Sequence, residues 1–451
     1  MDLSGKSVLV LGLGISGRSS ARFCAARGAR VVAADERPLA ELAEPGDLMA
    51  LAREVEVRAG QAFPDPALFD VLVPSPGIPP ERYAGRARTV WGDIELTGRC
   101  LQVPVIAVTG TNGKSTTVML IEAMLSAAGL RAKAAGNVGT PALSLVGEPL
   151  DVAVLEVSSF QLESTDAFQP RIAVVLNISP DHLDRHGHLD DYAAVKRRLV
   201  ERQRAGDAAV LCFDDPRVRD FASAAGGEVV PMSTRKPLVD SGTKRAAWLD
   251  AGAAVLRDGT QSLRLSLDSL RLPGRHNLEN VLAALTAVWL LGVDPERALD
   301  ALTDFRDLPH RSERVAEIAG VRFVNDSKAT NPGAALRAIE SAAGPVIWIA
   351  GGRDKGLSYE ALAEMASTRV RHALLIGEAA PLIEQALHGR VPCEQLESLD
   401  AAVETAALRA QPGDVVLLAP ACASFDQFQN FEARGECFRD AVARLDVGGS
   451  A

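Results

Sequence analysis

Positions 110–116 read Gly-Thr-Asn-Gly-Lys-Ser-Thr and follow the apolar run Val105-Ile106-Ala107-Val108-Thr109. A strand that runs into a glycine loop and then a helix turns several backbone N–H groups toward one point, at the positive end of the helix dipole. That arrangement holds a polyphosphate. Lys114 can reach the terminal phosphates, and the Ser115 hydroxyl can ligate magnesium. Only Thr111 and Asn112 separate the two glycines, fewer residues than in the common phosphate-binding motif, so the strand before and the helix after carry the assignment. The competing reading is a glycine turn with a chance lysine.

A second glycine cluster, Gly12-Leu13-Gly14-Ile15-Ser16-Gly17, ends the first apolar run, and Asp35 ends the next. Glycines at this spacing let the backbone approach a pyrophosphate while the acid bonds a ribose, which is the dinucleotide fingerprint. Packing glycines or another phosphorylated ligand fit equally, and a dehydrogenase stands as a rival.

Acids and an imidazole recur where strands end. Glu156 closes the run Val154-Leu155, and Asp181, His182 and Asp184 follow Asn177-Ile178-Ser179-Pro180. Magnesium beside a triphosphate takes one or two carboxylates, which makes Glu156 the better ligand and His182 a less typical one. A capping Asp181 with a solvent-facing His182 is the alternative. Further along lie Pro309-His310-Arg311, the segment Asn325-Asp326-Ser327-Lys328-Ala329-Thr330-Asn331, the loop at 351–356 and Cys422-Ala423-Ser424-Phe425-Asp426. The last three follow strand-like runs, which gathers their side chains along one sheet edge. Phe425, Phe428, Phe431 and Phe438, at near-helical spacing, read as core.

The elements that must position these groups alternate strand and helix. Strands are expected at 7–11, 30–34, 71–73, 105–109, 152–155, 172–176, 321–325, 346–350, 372–376 and 415–419, with helices at 16–27, 115–128 and 277–291. Short alternating strands fill 209–272. The pattern predicts an α/β protein of three domains in series: an N-terminal Rossmann-like domain over 1–96, a central P-loop ATPase-like parallel sheet over 97–307, and a C-terminal Rossmann-like domain over 308–451. The Gly-Gly-Ser-Ala tail is expected to fray.

Bulk properties narrow the class. The 451 residues carry a net charge of -10, without the diffuse positive field that grips nucleic acid, so phosphate must be held by local geometry. The hydrophobic fraction of 47% supplies packed cores. Six scattered cysteines contain no C-x-x-C pair, against a disulfide framework or zinc site. The first apolar run is short and broken by glycine, unlike a signal peptide or membrane helix, and a cytoplasmic location is expected.

In order, the segments Gly-Thr-Asn-Gly-Lys-Ser-Thr, Glu-Val-Ser-Ser-Phe-Gln-Leu-Glu, Asp-His-Leu-Asp-Arg, His-Asn-Leu-Glu-Asn, Pro-His-Arg and Asp-Ser-Lys-Ala-Thr-Asn make the chain resemble the Mur ligases over essentially its whole length. The N-terminal glycine loop together with Asp-Ser-Lys-Ala-Thr-Asn favours the glutamate-adding branch. The resemblance implies ATP-dependent addition of D-glutamate to UDP-N-acetylmuramoyl-L-alanine by a monomer, with a UDP-substrate domain, a central ATPase domain and a C-terminal amino-acid domain that closes over them. Under it the dehydrogenase reading falls. Gly14, Ile15 and Ser16 hold UDP-sugar phosphates, Asp35 and Glu36 lie beside uracil, and Ser75, Pro76, Gly77, Asn137 and Ser159 hold the rest.

Gly110, Thr111, Asn112, Gly113, Lys114, Ser115 and Thr116 carry over to ATP, with Asn280, His310, Arg311, Asp326 and Lys328 on its adenine, ribose and phosphates. Thr330, Lys355, Ser424 and Phe431 carry over to glutamate. Lys114, Glu156, His182 and Lys196 are the implied catalytic set, and Ser115, Glu156, His182 and Lys196, the last as a carbamate, the implied ligands of two magnesium ions. Without the resemblance, Lys196-Arg197-Arg198 reads as a solvated basic helix face. Two departures from the family's usual forms are Asp307-Leu308-Pro309, where glycine before Leu-Pro is familiar, and Pro332 after Asn331. The runner-up is another amino-acid ligase of the Mur and folylpolyglutamate synthetase group, and a nucleotide switch without ligase chemistry is the rival from a different class.

Overall fold

The computed structural model describes residues 1–42, 45–270, 274–303, 305 and 309–448. The departure at Asp307-Leu308, the expected boundary beside it and the end of the glycine-rich tail lie outside the described residues.

The strands collect into three sheets. In the first, Glu56–Ala59, Arg30–Asp35, Ser7–Leu11 and Val71–Pro74 lie side by side in that order, all parallel. Alternate residues serve two cores: Val8 and Val10 pack in one apolar cluster, Leu9 and Leu11 in another. Helices or loops must therefore cover both faces, which is why the strand reads as an unbroken apolar run. The edge strand Glu56–Ala59 is not among the expected strands, although Val57 and Ala59 alternate with charged residues and pack against the core; four residues make that alternation a short signal.

The second sheet has nine strands. Ala132–Gly136, Val152–Glu156, Val105–Thr109, Ile172–Val175, Ala208–Cys212, Glu228–Ser233 and Arg245–Asp250 are neighbours in that order and parallel, and Ala253–Asp258 and Gln261–Ser266 add an antiparallel extension. Val105–Thr109, the third strand from the Ala132–Gly136 edge, is buried at every residue.

In the third sheet an antiparallel edge, Glu313–Ile318, flanks Val321–Asn325, Val415–Leu418, Val346–Gly351, Val370–Ile376 and Cys393–Gln395, which run parallel. Val346, Trp348 and Ala350 face one core, Ile347 and Ile349 the other, the signature of a doubly wound sheet. The expected α/β class with parallel-rich sheets holds. Pro332 occupies the first turn of the helix Pro332–Ser341, where a missing N–H costs nothing, so this departure is structurally neutral.

The chain packs as two compact units: residues 1–178, 190–270 and 279–304 form one, and residues 179–189, 271–278 and 305–451 the other. No helix among the described residues is long and apolar enough to cross a membrane. All six cysteines are free.

Candidate active site

In the first unit the strand Ser7–Leu11 delivers the chain to Gly12, and the helix Ile15–Ala25 starts from Gly14 with no side-chain cap. Its first N–H groups are therefore not taken by a cap, as an anion site requires. Gly17 has no alternative, since a Cβ there would stand 1.8 Å from the Gly12 carbonyl oxygen. Ser75 closes the loop from the other side, its hydroxyl donating to the same carbonyl at 2.9 Å. Ile15, at 56% exposure, stands in solvent at the mouth of the loop.

Asp35 is buried at the end of its strand and accepts from the Leu13 N–H at 2.8 Å and from Arg37 through Nε and Nη2 at 3.0 and 2.9 Å. Burial works against its charge, and the Arg37 guanidinium with the two backbone donors outweighs that cost, holding the carboxyl below its usual range. Glu36 is ion-paired with Arg82 in partial exposure. Sequence reading missed Arg37, although an arginine two residues beyond a strand-ending acid is a visible sign.

The phosphate loop is built on the second sheet. Gly113 has φ 90° and opens the helix Lys114–Ala127, and a side chain there would meet Asn280 Oδ1 at 2.3 Å. Asn177 pins the loop from the adjacent strand: its carbonyl accepts from Thr111 N at 2.8 Å, its Oδ1 from Asn112 N at 2.9 Å, and its Nδ2 donates to Asn112 O at 3.1 Å. Lys114 folds back, Nζ donating to the carbonyls of Gly110 and Thr111 at 3.0 and 2.9 Å. Thr116 is buried in the first helical turn.

Glu156 joins this group because its strand lies beside Val105–Thr109. The Ser115 hydroxyl donates to its Oε2, and Asn137 Nδ2 donates to Oε1 at 2.9 Å. Ser159, also buried, is the first residue of the short helix that follows. A hydroxyl and a carboxylate side by side are hard oxygen donors, the kind magnesium takes alongside phosphate oxygens and water. Among the described residues, no group of three or more His, Cys, Asp or Glu side chains is placed to hold a metal.

Lys196 overturns the solvated-face reading. It is 1% exposed on the helix Leu189–Glu201, and Nζ donates to Gly110 O at 2.9 Å and Thr109 Oγ1 at 3.3 Å, 4.7 Å from the Tyr192 ring centroid. Its neighbours Arg197 and Arg198 stay exposed. The physical reason is helical phase: Tyr192, Ala193, Lys196, Leu199 and Val200 form the buried stripe, so the lysine belongs to the inward face.

In the second unit the Asp181 carboxylate accepts from the His182 N–H at 3.0 Å. It is buried, and accepts from Lys355 Nζ at 2.9 Å and Asn331 Nδ2 at 3.1 Å. His182, in the left-handed region at φ 53°, precedes the helix Leu183–His186 with its side chain 36% exposed. Asn325, fully buried, bonds His310 Nδ1 at 3.0 Å and Gly435 O at 3.2 Å. Burial, with Arg439 nearby, lowers the pKa of His310 against the pull of Glu313, Glu436 and Glu432. Arg311 directly follows, and Asp326 sits at the strand end, its N–H on Leu418 O.

Lys328 Nζ lies 3.6 Å from the centroid of the Phe431 ring, so that ring faces a cation, while Phe438 is core and Phe425 is 63% exposed. The expectation that all four phenylalanines are core fails at Phe425, which precedes the helix Phe431–Gly448 and is carried by a loop. Ser424 is buried, and Thr330 follows Lys328, to whose carbonyl its N–H is bonded.

Sequence reading also missed Arg434. It is 1% exposed and spends its guanidinium on main-chain and hydroxyl oxygens: Ser327 O at 2.9 Å, Ser327 Oγ at 3.0 Å, Cys422 O at 3.2 Å, and Gly351 O and Ala423 O at 3.4 Å. One side chain thereby ties together the three loops bearing Lys328, Lys355 and Ser424. Burial lowers its pKa to about 10, so it is still charged at neutral pH.

Three family profiles match in the order of the three sheets: "Mur ligase MurD-like, N-terminal domain" over residues 6–88, "Mur ligase middle domain" over 108–288 and "Mur ligase, glutamate ligase domain" over 310–422. The chain belongs to the Mur ligase family. It is 44% identical to the UDP-N-acetylmuramoylalanine--D-glutamate ligase of Geobacter metallireducens, covering 99% of each chain, and 43% identical to that of Acidobacterium capsulatum, covering 98% of this chain and 97% of the relative. Among solved structures it is similar to a pseudomurein peptide ligase type C from Methanothermus fervidus at TM-score 0.61 and 18% identity, covering 98% of this chain and all of that one. It is also similar to the UDP-N-acetylmuramate-alanine ligase of Thermotoga maritima at TM-score 0.60 and 16% identity, covering 98% and 99%. At such identities the solved structures speak for the Mur ligase fold alone.

Proposed function

We propose that this Mur ligase joins D-glutamate to the L-alanine carboxylate of UDP-N-acetylmuramoyl-L-alanine, splitting ATP to ADP and phosphate. The observation that carries the reading is one chain combining a phosphate loop with full-length likeness to D-glutamate-adding ligases. We place the reaction in the cytoplasm, in peptidoglycan-precursor synthesis and hence in cell shape and division, and assign it to a monomer. Residues 1–96 take the UDP-substrate through Gly14, Ile15, Ser16, Asp35, Glu36, Ser75, Pro76 and Gly77, aided by Asn137 and Ser159. Residues 97–307 take ATP through the 110–116 loop and Asn280. Residues 308–451 bring His310, Arg311, Asp326 and Lys328 to the nucleotide and Thr330, Lys355, Ser424 and Phe431 to glutamate.

A carboxylate is too poor an electrophile for an amine, so its oxygen first attacks the γ-phosphorus of ATP, and ADP leaves. The glutamate amine then attacks the acyl phosphate carbon, a C–N bond forms, and phosphate departs with its oxygen while the amine loses a proton. Lys114 turns from its loop carbonyls to the β- and γ-phosphates, offsetting the repulsion between two anions that dominates the first step. Two magnesium ions, held by Ser115, Glu156, His182 and a carbamate on Lys196, would supply further charge neutralisation there.

The test is amino-acid-dependent phosphate release with ATP, magnesium and UDP-N-acetylmuramoyl-L-alanine. D-glutamate should support turnover and L-glutamate should not. Release with L-lysine or diaminopimelate instead would overturn the assignment in favour of another ligase, and turnover without any acceptor would favour a nucleotide switch.

A further inference from the structure

The helix Asp93–Cys100 follows the first sheet and lies tight against residues 161–168. Gly92 donates its N–H to Ser164 O at 2.9 Å, and a Cβ on it would stand 2.0 Å from Ser164 Oγ. Two buried carboxylates make the contact specific. Glu95, fully buried, accepts from the backbone N–H groups of Asp166, Ala167 and Phe168 at 2.8 to 3.1 Å. Asp93, 4% exposed, accepts from Gln161 Nε2 at 2.8 Å and from its neighbour Ile94 N at 2.9 Å, and its helix packs against the helix Ile15–Ala25 that opens from the first glycine loop.

Gln161 has no freedom in this pairing. Its Oε1 accepts from Ser158 N at 3.0 Å and Ser158 Oγ at 3.1 Å, completing the capping box of the helix Ser159–Leu162. The amide must therefore present its NH₂ to Asp93, and position 93 must present an acceptor. The connection runs from the helix that opens from the first glycine loop, through the helix bearing Asp93 packed on it and through Gln161, to the turn between Glu156 and Ser159.

We infer that Asp93 is a positioning residue: through Gln161 it fixes the turn bearing Glu156 and Ser159 against the glycine loop that holds the UDP-linked substrate. This rests on the proposed reading of that loop. Displacement of a reacting group by about 1 Å can cost about a hundredfold in rate, so the pair matters without touching substrate.

The test is a complementary exchange. Asp93→Asn sets NH₂ against NH₂ or against Ile94 N–H, and Gln161→Glu sets two carboxylates face to face. The double variant Asp93→Asn with Gln161→Glu restores one donor facing one acceptor and keeps the Ser158 cap. Each single variant should lose at least about tenfold in kcat/KM for the UDP-linked substrate, with the ATP KM within about twofold of wild type. The double variant should recover most of that loss.

Calorimetric binding of UDP-N-acetylmuramoyl-L-alanine, weakened in the singles and restored in the double, reads the coupling without ligation. If wild type binds but does not ligate D-glutamate, the proposed function fails while the coupling is still decided by binding. Singles with wild-type kinetics and binding overturn the inference. So does a double variant no better than the worse single. If Asp93→Asn fails to fold, a folded and active double variant supports it, and an unfolded double overturns it.

Discussion

The Nζ of Lys196 donates to the carbonyl oxygen of Gly110 at 2.9 Å, placing a buried amine against the first residue of the phosphate loop. A long basic side chain is rarely held this way without purpose, because burying its charge is costly. An ammonium beside magnesium would repel the metal, whereas a carbamate on the same nitrogen would present two oxygens and a negative charge.

Lys196→Ala should therefore fold and lose activity by about a hundredfold or more. A short carboxylate such as acetate should occupy the vacated space and restore part of it, while bicarbonate should not. Retention of most activity by the alanine variant would return Lys196 to a packing role.

Lys114→Ala should leave folding intact and reduce ligation by about a hundredfold or more, because its Nζ is held at the loop by the carbonyls of Gly110 and Thr111 and its task is to meet developing charge on the phosphates. Circular dichroism checks the fold and phosphate release the rate. Near-normal turnover would sink the nucleotide assignment.

What could be read from sequence was the local part. The loop at 110–116 is contiguous with its strand and helix, so its chemistry and its geometry sit in one window. Lys196 was named only through the family resemblance, its own segment reading as a solvated face, and Arg434 was not singled out at all, yet each occupies the apolar stripe of its helix: Lys196 among Tyr192, Leu199 and Val200, Arg434 in phase with Phe438, Ala441 and Val442. A charged residue in phase with a buried stripe is the signal. The Asp181–Lys355 pair, 174 residues apart, had none, since only the packing of a complete unit brings those groups together.

Lys355→Ala should chiefly raise the KM for glutamate, by about tenfold or more, by removing a charge-assisted bond to a carboxylate. It also leaves Asp181, 8% exposed at its side chain, without its cation, so some loss of stability should accompany the change. An unchanged glutamate KM with a raised ATP KM would move Lys355 to the nucleotide.

His276 gives a pH dependence. Burial, with the Arg337 guanidinium near it, pushes its pKa down from 6.5 to about 4. The unfolded chain then binds the proton first, so stability is full above pH 6.5, falls as pH drops toward 4, and levels off below. The slope from this one group is at most about 1.4 kcal/mol per pH unit. Denaturant unfolding of His276→Gln between pH 7 and 4 should show a shallower fall than wild type. Parallel curves would remove His276 as the cause.

Arg434 offers the sharpest separation of charge from geometry. Its planar fork reaches oxygens of Ser327, Gly351, Cys422 and Ala423, whereas an ammonium has three donors on one atom and cannot span them. Arg434→Lys keeps the charge and most of the volume, yet strands several carbonyls, so it should cost about 3 kcal/mol of stability. Because the freed loops carry Lys328, Lys355 and Ser424, the glutamate KM should rise in Arg434→Lys even well below its unfolding temperature. Arg434→Met removes the charge as well. If only charge mattered, the lysine variant would match wild type and the methionine variant alone would fail. If the knot of loops is the cause, both fail, and the ratio of their glutamate KM values measures what the charge adds. A lysine variant with wild-type stability and glutamate KM would show that the three loops hold their places without Arg434.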